Sequence, residues 1–185
     1  YNLQKEENMS DFEKIKENYQ TYIDIIERFE DSNLSALFEQ LGERVAVAPA
    51  NAQKDEYGCK NGGLVELSLE VLSMMRKLNA ATGKQCELKS LFKVALLHDL
   101  GRIGTVSNEL FLQQDSDWHY EKLGMHFKKN QELYEYAPTQ FTFQILSNFG
   151  VKLTEEEYSA IQSVQISKPL NHLGRILMAA RTMIV

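Results

Sequence analysis

At 185 residues the chain is long enough for one domain with an ample hydrophobic core. Its 43% apolar and 25% charged residues are ordinary for a globular protein, and three prolines with ten glycines favour long helices over a turn-rich β design. The 26 acidic against 20 basic residues, a formal charge of -6, argue against a sequence-independent grip on nucleic-acid phosphates. No apolar run approaches the roughly 18 residues that a membrane span requires. Cys59 and Cys86 stand far apart without metal-type spacing, so free thiols in a reducing compartment are expected. The polar, acidic start from Tyr1 to Glu7 is unlike a secretory signal, and a cytoplasmic location is the expectation.

Residues 1–9 are expected to form a disordered leader, and residues 10–42 to form N-terminal helices packing on a domain of residues 43–185. Ser10-Asp11-Phe12-Glu13 reads as a capping box opening the first helix. Along it Phe12, Ile15, Tyr19, Tyr22, Ile26 and Phe29 alternate at spacings of three and four, an apolar stripe that docks on its own domain or on a second copy in a homodimer. Asp31-Ser32-Asn33 breaks this helix and caps a short second one, Leu34 to Gly42. Residues 43–63, with Pro49 and the Gly62-Gly63 pair, read as a long loop, and loops of that length often carry function.

A strong helix is predicted from Leu64 to about Ala81, with Leu64, Leu67, Val71, Met74, Met75 and Leu78 on one face. The methionine pair reads as core filling. The central helix is predicted over Leu88 to Gly101. Another is expected from Trp118 towards Asn130, carrying His119 and His126 as ordinary boundary histidines. Further helices are predicted over Thr139–Asn148, from the capping box Thr154–Glu157 through Ile166, and from Pro169 to the C-terminus. No strand is expected, and the fold class read from these elements is all-α.

The most informative stretch is Leu91 to Arg102. Its residues before His98 are nearly all apolar, so the helix is expected to be buried on most of its circumference. His98 and Asp99 interrupt that apolar wall side by side. An ionised carboxylate buried there needs a metal, a cation or a dense set of donors. The plainer reading is a helix end, with Gly101 as C-cap and both side chains leaving for solvent.

Ala95-Leu96-Leu97-His98-Asp99-Leu100-Gly101-Arg102 resembles the signature of the HD superfamily of metal-dependent phosphohydrolases. Gly62-Gly63-Leu64 through Val71 resembles the family's first motif, Phe149 to Ile161 the approach to a third, and Lys168 to Arg181 the last helix. The order and extent, about residues 45–185, are most similar to small phage-encoded HD proteins, which implies a helical HD-type bundle in a host cytoplasm. The resemblance also implies a divalent metal (Mn, Fe, Ni, Zn or Mg) held by a first-motif histidine, the His-Asp pair and an aspartate of the last helix. Carried over residue by residue, His98 and Asp99 are intact, but the first-motif histidine falls on Leu67 and the last aspartate on Arg181. The histidine after Ala160-Ile161 falls near Val164, and Tyr57 stands where relatives often have a histidine before the glycine pair. A catalytic cation usually needs at least three protein ligands.

The resemblance therefore implies an eroded metal site, with His98 and Asp99 vestigial and Leu67, Arg102, Val164, Arg181, Tyr57 and His119 around the pocket. The expectation is a catalytically silent protein, without metal or other cofactor, that binds a protein partner or a small nucleotide. The competing expectation is a phosphohydrolase acting on a nucleotide or other phosphoester through a non-standard site of His98, Asp99, Arg102 and His119. His172 is the nearest further histidine. Nucleic-acid binding through Lys122, Lys128 and Lys129 has little behind it. Charge gives the sharpest expectation: Arg181 replaces the metal as the counter-charge of Asp99, one guanidinium on one carboxylate, ideally through two parallel hydrogen bonds.

Overall fold

The computed structural model describes residues 2–133 and 136–185, with the first helix traced from Asn2. Eight α-helices are described: α1 (Asn2–Glu27), α2 (Ser32–Val47), α3 (Gly63–Ala81), α4 (Leu88–Leu97), α5 (Asp117–Leu123), α6 (Pro138–Asn148), α7 (Glu155–Gln165) and α8 (His172–Thr182). The expected all-α bundle is what forms. The leader expected over residues 1–9 is instead traced from Asn2 as the start of α1, which runs through Ser10, so the helix does not open at a Ser10 cap; Tyr1 lies outside the described residues.

Helix α4 sits at the centre, between α3 on one side and α7 and α8 on the other. Leu91, Val94, Ala95, Leu96 and Leu97 are all buried, and they meet Leu67, Val71 and Met75 of α3, Ala160 and Ile161 of α7, and Ile176, Leu177 and Ala180 of α8 in one continuous core. Each fully buried aliphatic side chain of this kind contributes about 1.5–3 kcal/mol, so the core holds α4 on nearly all sides. Met75 is core filling, as its spacing implies.

Several boundaries differ from the sequence expectation, each for a local reason. Helix α2 runs past Gly42 to Val47, because Val45 is buried and the helix stops only where Pro49 follows the C-cap Ala48. The last helix begins at His172 instead of Pro169: the Asn171 side chain accepts from the Gly174 amide at 2.7 Å, a true N-cap. The helix expected from Trp118 towards Asn130 is only α5, seven residues long, ended by Gly124 in the left-handed conformation with φ 62°. Two short strands that no periodicity announced flank it, β1 (Phe111–Gln113) and β2 (Phe127–Lys129), antiparallel with Phe111 opposite Lys129. This β-arm closes over a second apolar cluster of Ala52, Leu110, Phe111, Phe127, Leu133 and Phe141.

The α1 stripe docks on the domain over only part of its length. Tyr22 and Ile26 are buried, whereas Phe12 is 64% exposed. The Tyr22 hydroxyl donates to the Leu96 carbonyl at 2.7 Å, satisfying one of the acceptors that the C-terminus of α4 leaves open. Lys14 ties the outer part of the helix to Glu66 of α3 at 2.7 Å.

Helix α4 ends before the His-Asp pair instead of running through it. The His98 amide makes the last helical bond, to the Val94 carbonyl, and Leu100–Ile103 form a 3-10 turn. Gly101 is not a left-handed C-cap; it lets this turn touch α6. Its amide donates to Thr142 Oγ1 at 2.8 Å, and a Cβ there would lie 1.8 Å from the Pro138 carbonyl oxygen and 2.4 Å from the Thr142 amide nitrogen. Both obstacles are backbone, so the two elements would have to separate. Gly101→Ala is expected to destabilise the fold by at least about 3 kcal/mol, the upper range for overpacking, as read by urea unfolding. A loss below about 1 kcal/mol would mean that the turn and α6 are not held at this distance.

Candidate functional site

The turn that ends α4 fixes the two side chains at the centre of the site. His98 is fully buried and Asp99 is 3% exposed. His98 Nδ1 lies 2.8 Å from the Ala95 carbonyl, which can only accept, so Nδ1 carries the proton and Nε2 presents a lone pair. That lone pair faces Arg181 of α8: its Nη1 stands 2.6 Å from His98 Nε2 and 2.5 Å from Asp99 Oδ2. One nitrogen with two hydrogens serves both acceptors. The pairing is therefore a bridge across two residues and not the parallel fork expected from sequence.

A second guanidinium completes the site. Arg102, one turn on, donates from Nε to the same Asp99 Oδ2 at 2.9 Å. Its Nη1 reaches Asn51 Oδ1 at 2.8 Å and also the Ala50 carbonyl. The expected balance of one anion and one cation is thus corrected: two guanidiniums against one carboxylate leave a local charge of +1. Burial alone would raise the Asp99 carboxyl, but the neighbouring charges, with Arg102 the largest, hold it well below the usual carboxylate range. Burial pushes the His98 imidazole down to about 4, Arg181 and Arg102 push the same way, and Asp99 opposes them. His98 is neutral at physiological pH, which is the state that its bond from Arg181 requires.

The remaining sequence candidates fall into two groups. Leu67 is fully buried in α3 and contributes only methyl groups to the core beside α4, and Val164 is half-buried in α7. Tyr57 is half-buried, and burial together with a hydrogen bond to Glu70 pushes its hydroxyl up. His119 is not tied to the pair; it sits on α5, where Nδ1 faces Ser116 Oγ at 2.7 Å. His172 faces the Lys84 carbonyl at 2.7 Å and is likewise engaged elsewhere. Sequence reasoning missed Asn51 and the Ala50 carbonyl, whose only signal was the long loop around Pro49. It also missed Thr142, which supports the turn by accepting from Gly101 and facing the His98 carbonyl at 3.3 Å.

These residues do not fit a divalent cation. Both nitrogens of His98 are engaged, the two arginines share Asp99 Oδ2, and Leu67 offers no donor atom. Among the described residues, no three of His, Cys, Asp and Glu converge on one point. Cys59 and Cys86 are free thiols. No described helix is long and apolar enough to cross a membrane. No family model matches the chain, and neither the curated proteins nor the solved structures give a match.

The buried neutral histidine links stability to pH. Unfolded, His98 titrates near 6.5; folded, it titrates at about 4, so the unfolded chain binds more protons between these values. The contribution is complete above about pH 6.5 and is lost as pH falls towards 4, amounting in all to about 3 kcal/mol. Unfolding free energies measured from pH 7 to 4.5 should decline more steeply for the native chain than for His98→Gln. Parallel curves would show that His98 is not held neutral by its surroundings.

Proposed function

We propose that this chain is an HD-like domain in which a guanidinium takes the place of the metal. On this reading it is catalytically silent and acts by binding a protein partner or a small nucleotide. The observation that supports it is the position of Arg181 Nη1, 2.6 Å from His98 Nε2 and 2.5 Å from Asp99 Oδ2. A cation ligated by these two residues would need the same lone pairs. Arg181 satisfies them with a charge that belongs to the chain, is always present and cannot lower the pKa of a water. The Arg102 contact fits the same reading, because a second guanidinium on Asp99 adds to the repulsion that any entering dication meets.

What such a site retains is architectural. His98, Asp99 and the two arginines tie the end of α4 to α8 and to the loop at Asn51, so a surface built from these elements is presented in one arrangement. A protein that works by binding needs that rigidity, and hydrolysis does not follow from it.

Metal analysis and an activity assay test the reading together. The purified chain should carry substoichiometric manganese, iron, nickel and zinc, and should not hydrolyse nucleotides or a generic phosphodiester when these metals or magnesium are added. The variant combining Leu67→His with Arg181→Asp restores the two donors that the family resemblance implies, and it should gain saturable binding of manganese or nickel. Metal-dependent hydrolysis by the native chain, abolished by His98→Ala, would overturn the proposal.

A further inference from the structure

A cavity of about 80 Å³ lies between the end of α2, the 3-10 turn and the β-arm, with Arg102 among its lining residues. At the roughly 30 Å³ that a water takes up in the liquid it has room for about three waters, which is the size of a ligand of a few heavy atoms and far below that of a nucleotide. Pro49, Ile103, Phe111 and Phe127 give it apolar walls, and Arg44 and Arg102 are among its lining residues.

Neither positive charge is fully matched. Arg102 shares its carboxylate with Arg181. Among the described residues no carboxylate comes within ion-pair distance of Arg44, whose guanidinium donates only to the Thr105 carbonyl. The Nε of Arg44 is buried without a hydrogen-bond partner, so the guanidinium loses no bond there if it turns to meet a ligand. Burial lowers the pKa of Arg44, and the charge of Glu109 partly opposes this. Glu109, exposed at the rim, is the one carboxylate lining the cavity among the described residues. Two cations and one anion leave room for a single further negative charge, and a doubly charged ligand would meet Glu109. An apolar enclosure with a few convergent polar groups is the usual form of a small-molecule site.

We infer that this cavity is a binding site for a short-chain monocarboxylate, its carboxylate held between Arg44 and Arg102 and its hydrocarbon end against Pro49, Phe111 and Phe127. With Nε and Nη1 of Arg102 already engaged, its Nη2 is the donor left for the carboxylate, and Arg44 supplies the second cation. This site shares Arg102 with the His98–Asp99 cluster, but its ligand does not depend on whether that cluster is silent.

The test is a titration of the full chain with sodium propionate at fixed ionic strength, followed by amide NMR. Saturable shifts are expected at Ile103, Phe111 and Phe127. Propionamide, the same shape without charge, should bind at least about tenfold more weakly, as should propionate to Arg44→Gln. Glu109→Gln should tighten propionate binding by removing the like charge. Should Arg44→Gln fail to fold, the propionate-to-propionamide ratio and the Glu109→Gln variant decide the matter. Equal binding of propionamide, preference for inorganic phosphate, or no saturable shift at these amides would each overturn the assignment.

Discussion

Asp99 is a carboxylate at 3% exposure in the middle of a helical core, and an ion in that position costs several kcal/mol unless its surroundings answer it. The chain answers with two guanidiniums on one oxygen, one from close by in the sequence and one from far along it. Arg102 comes from the turn that follows Asp99 directly, and Arg181 from the last helix, 82 residues on. His98 belongs to the same arrangement, because its neutral ring offers the acceptor that the second hydrogen of Arg181 Nη1 needs. Each member therefore sets the state of the others: the arginines keep Asp99 ionised and His98 neutral, and those two acceptors hold Arg181 inward.

The fold around this cluster is arranged so that a helix can end deep inside the protein. A buried helix terminus leaves carbonyl groups without partners, and here they are met from outside the helix. Tyr22 of α1 donates to the Leu96 carbonyl, and His98 donates from its own ring to that of Ala95. The 3-10 turn that follows is pressed onto α6 at Gly101, close enough that only a hydrogen fits where a Cβ would stand. The N-terminal helix is thus part of the support of the site and not an appendage, even though Phe12 in its outer portion is exposed.

Much of this was legible in the sequence, for identifiable reasons. The apolar run before His98 gave the central helix, since no other element buries so many consecutive residues, and the Thr154–Glu157 box placed the start of α7 to the residue. The Arg181–Asp99 pairing was reached from the HD resemblance, which set Arg181 where a metal-ligating aspartate is expected, together with charge: a buried carboxylate needs a cation. What could not be read was set by contacts remote in sequence. Arg102 sits three residues from Asp99, yet its role depends on Ala50 and Asn51, 52 and 51 residues away. The β-arm escaped because three-residue strands are too short for alternation to register, and its pairing rests on Phe111 and Phe127 reaching a common cluster. The fork expected of Arg181 became a bridge because one of its two acceptors is a histidine nitrogen.

The surplus of one positive charge makes the central claim open to a thermodynamic cycle on Asp99 and Arg181. If the cluster is held by charge, Asp99→Asn is the more damaging single change, since it leaves two buried guanidiniums facing each other, whereas Arg181→Leu leaves the Asp99–Arg102 pair intact. Asp99→Asn should cost about 3–5 kcal/mol in urea unfolding at neutral pH, and adding Arg181→Leu should recover at least about 1 kcal/mol of that loss. Additive losses, or a double variant less stable than Asp99→Asn alone, would contradict the account and leave the two residues as neighbours without a shared electrostatic role.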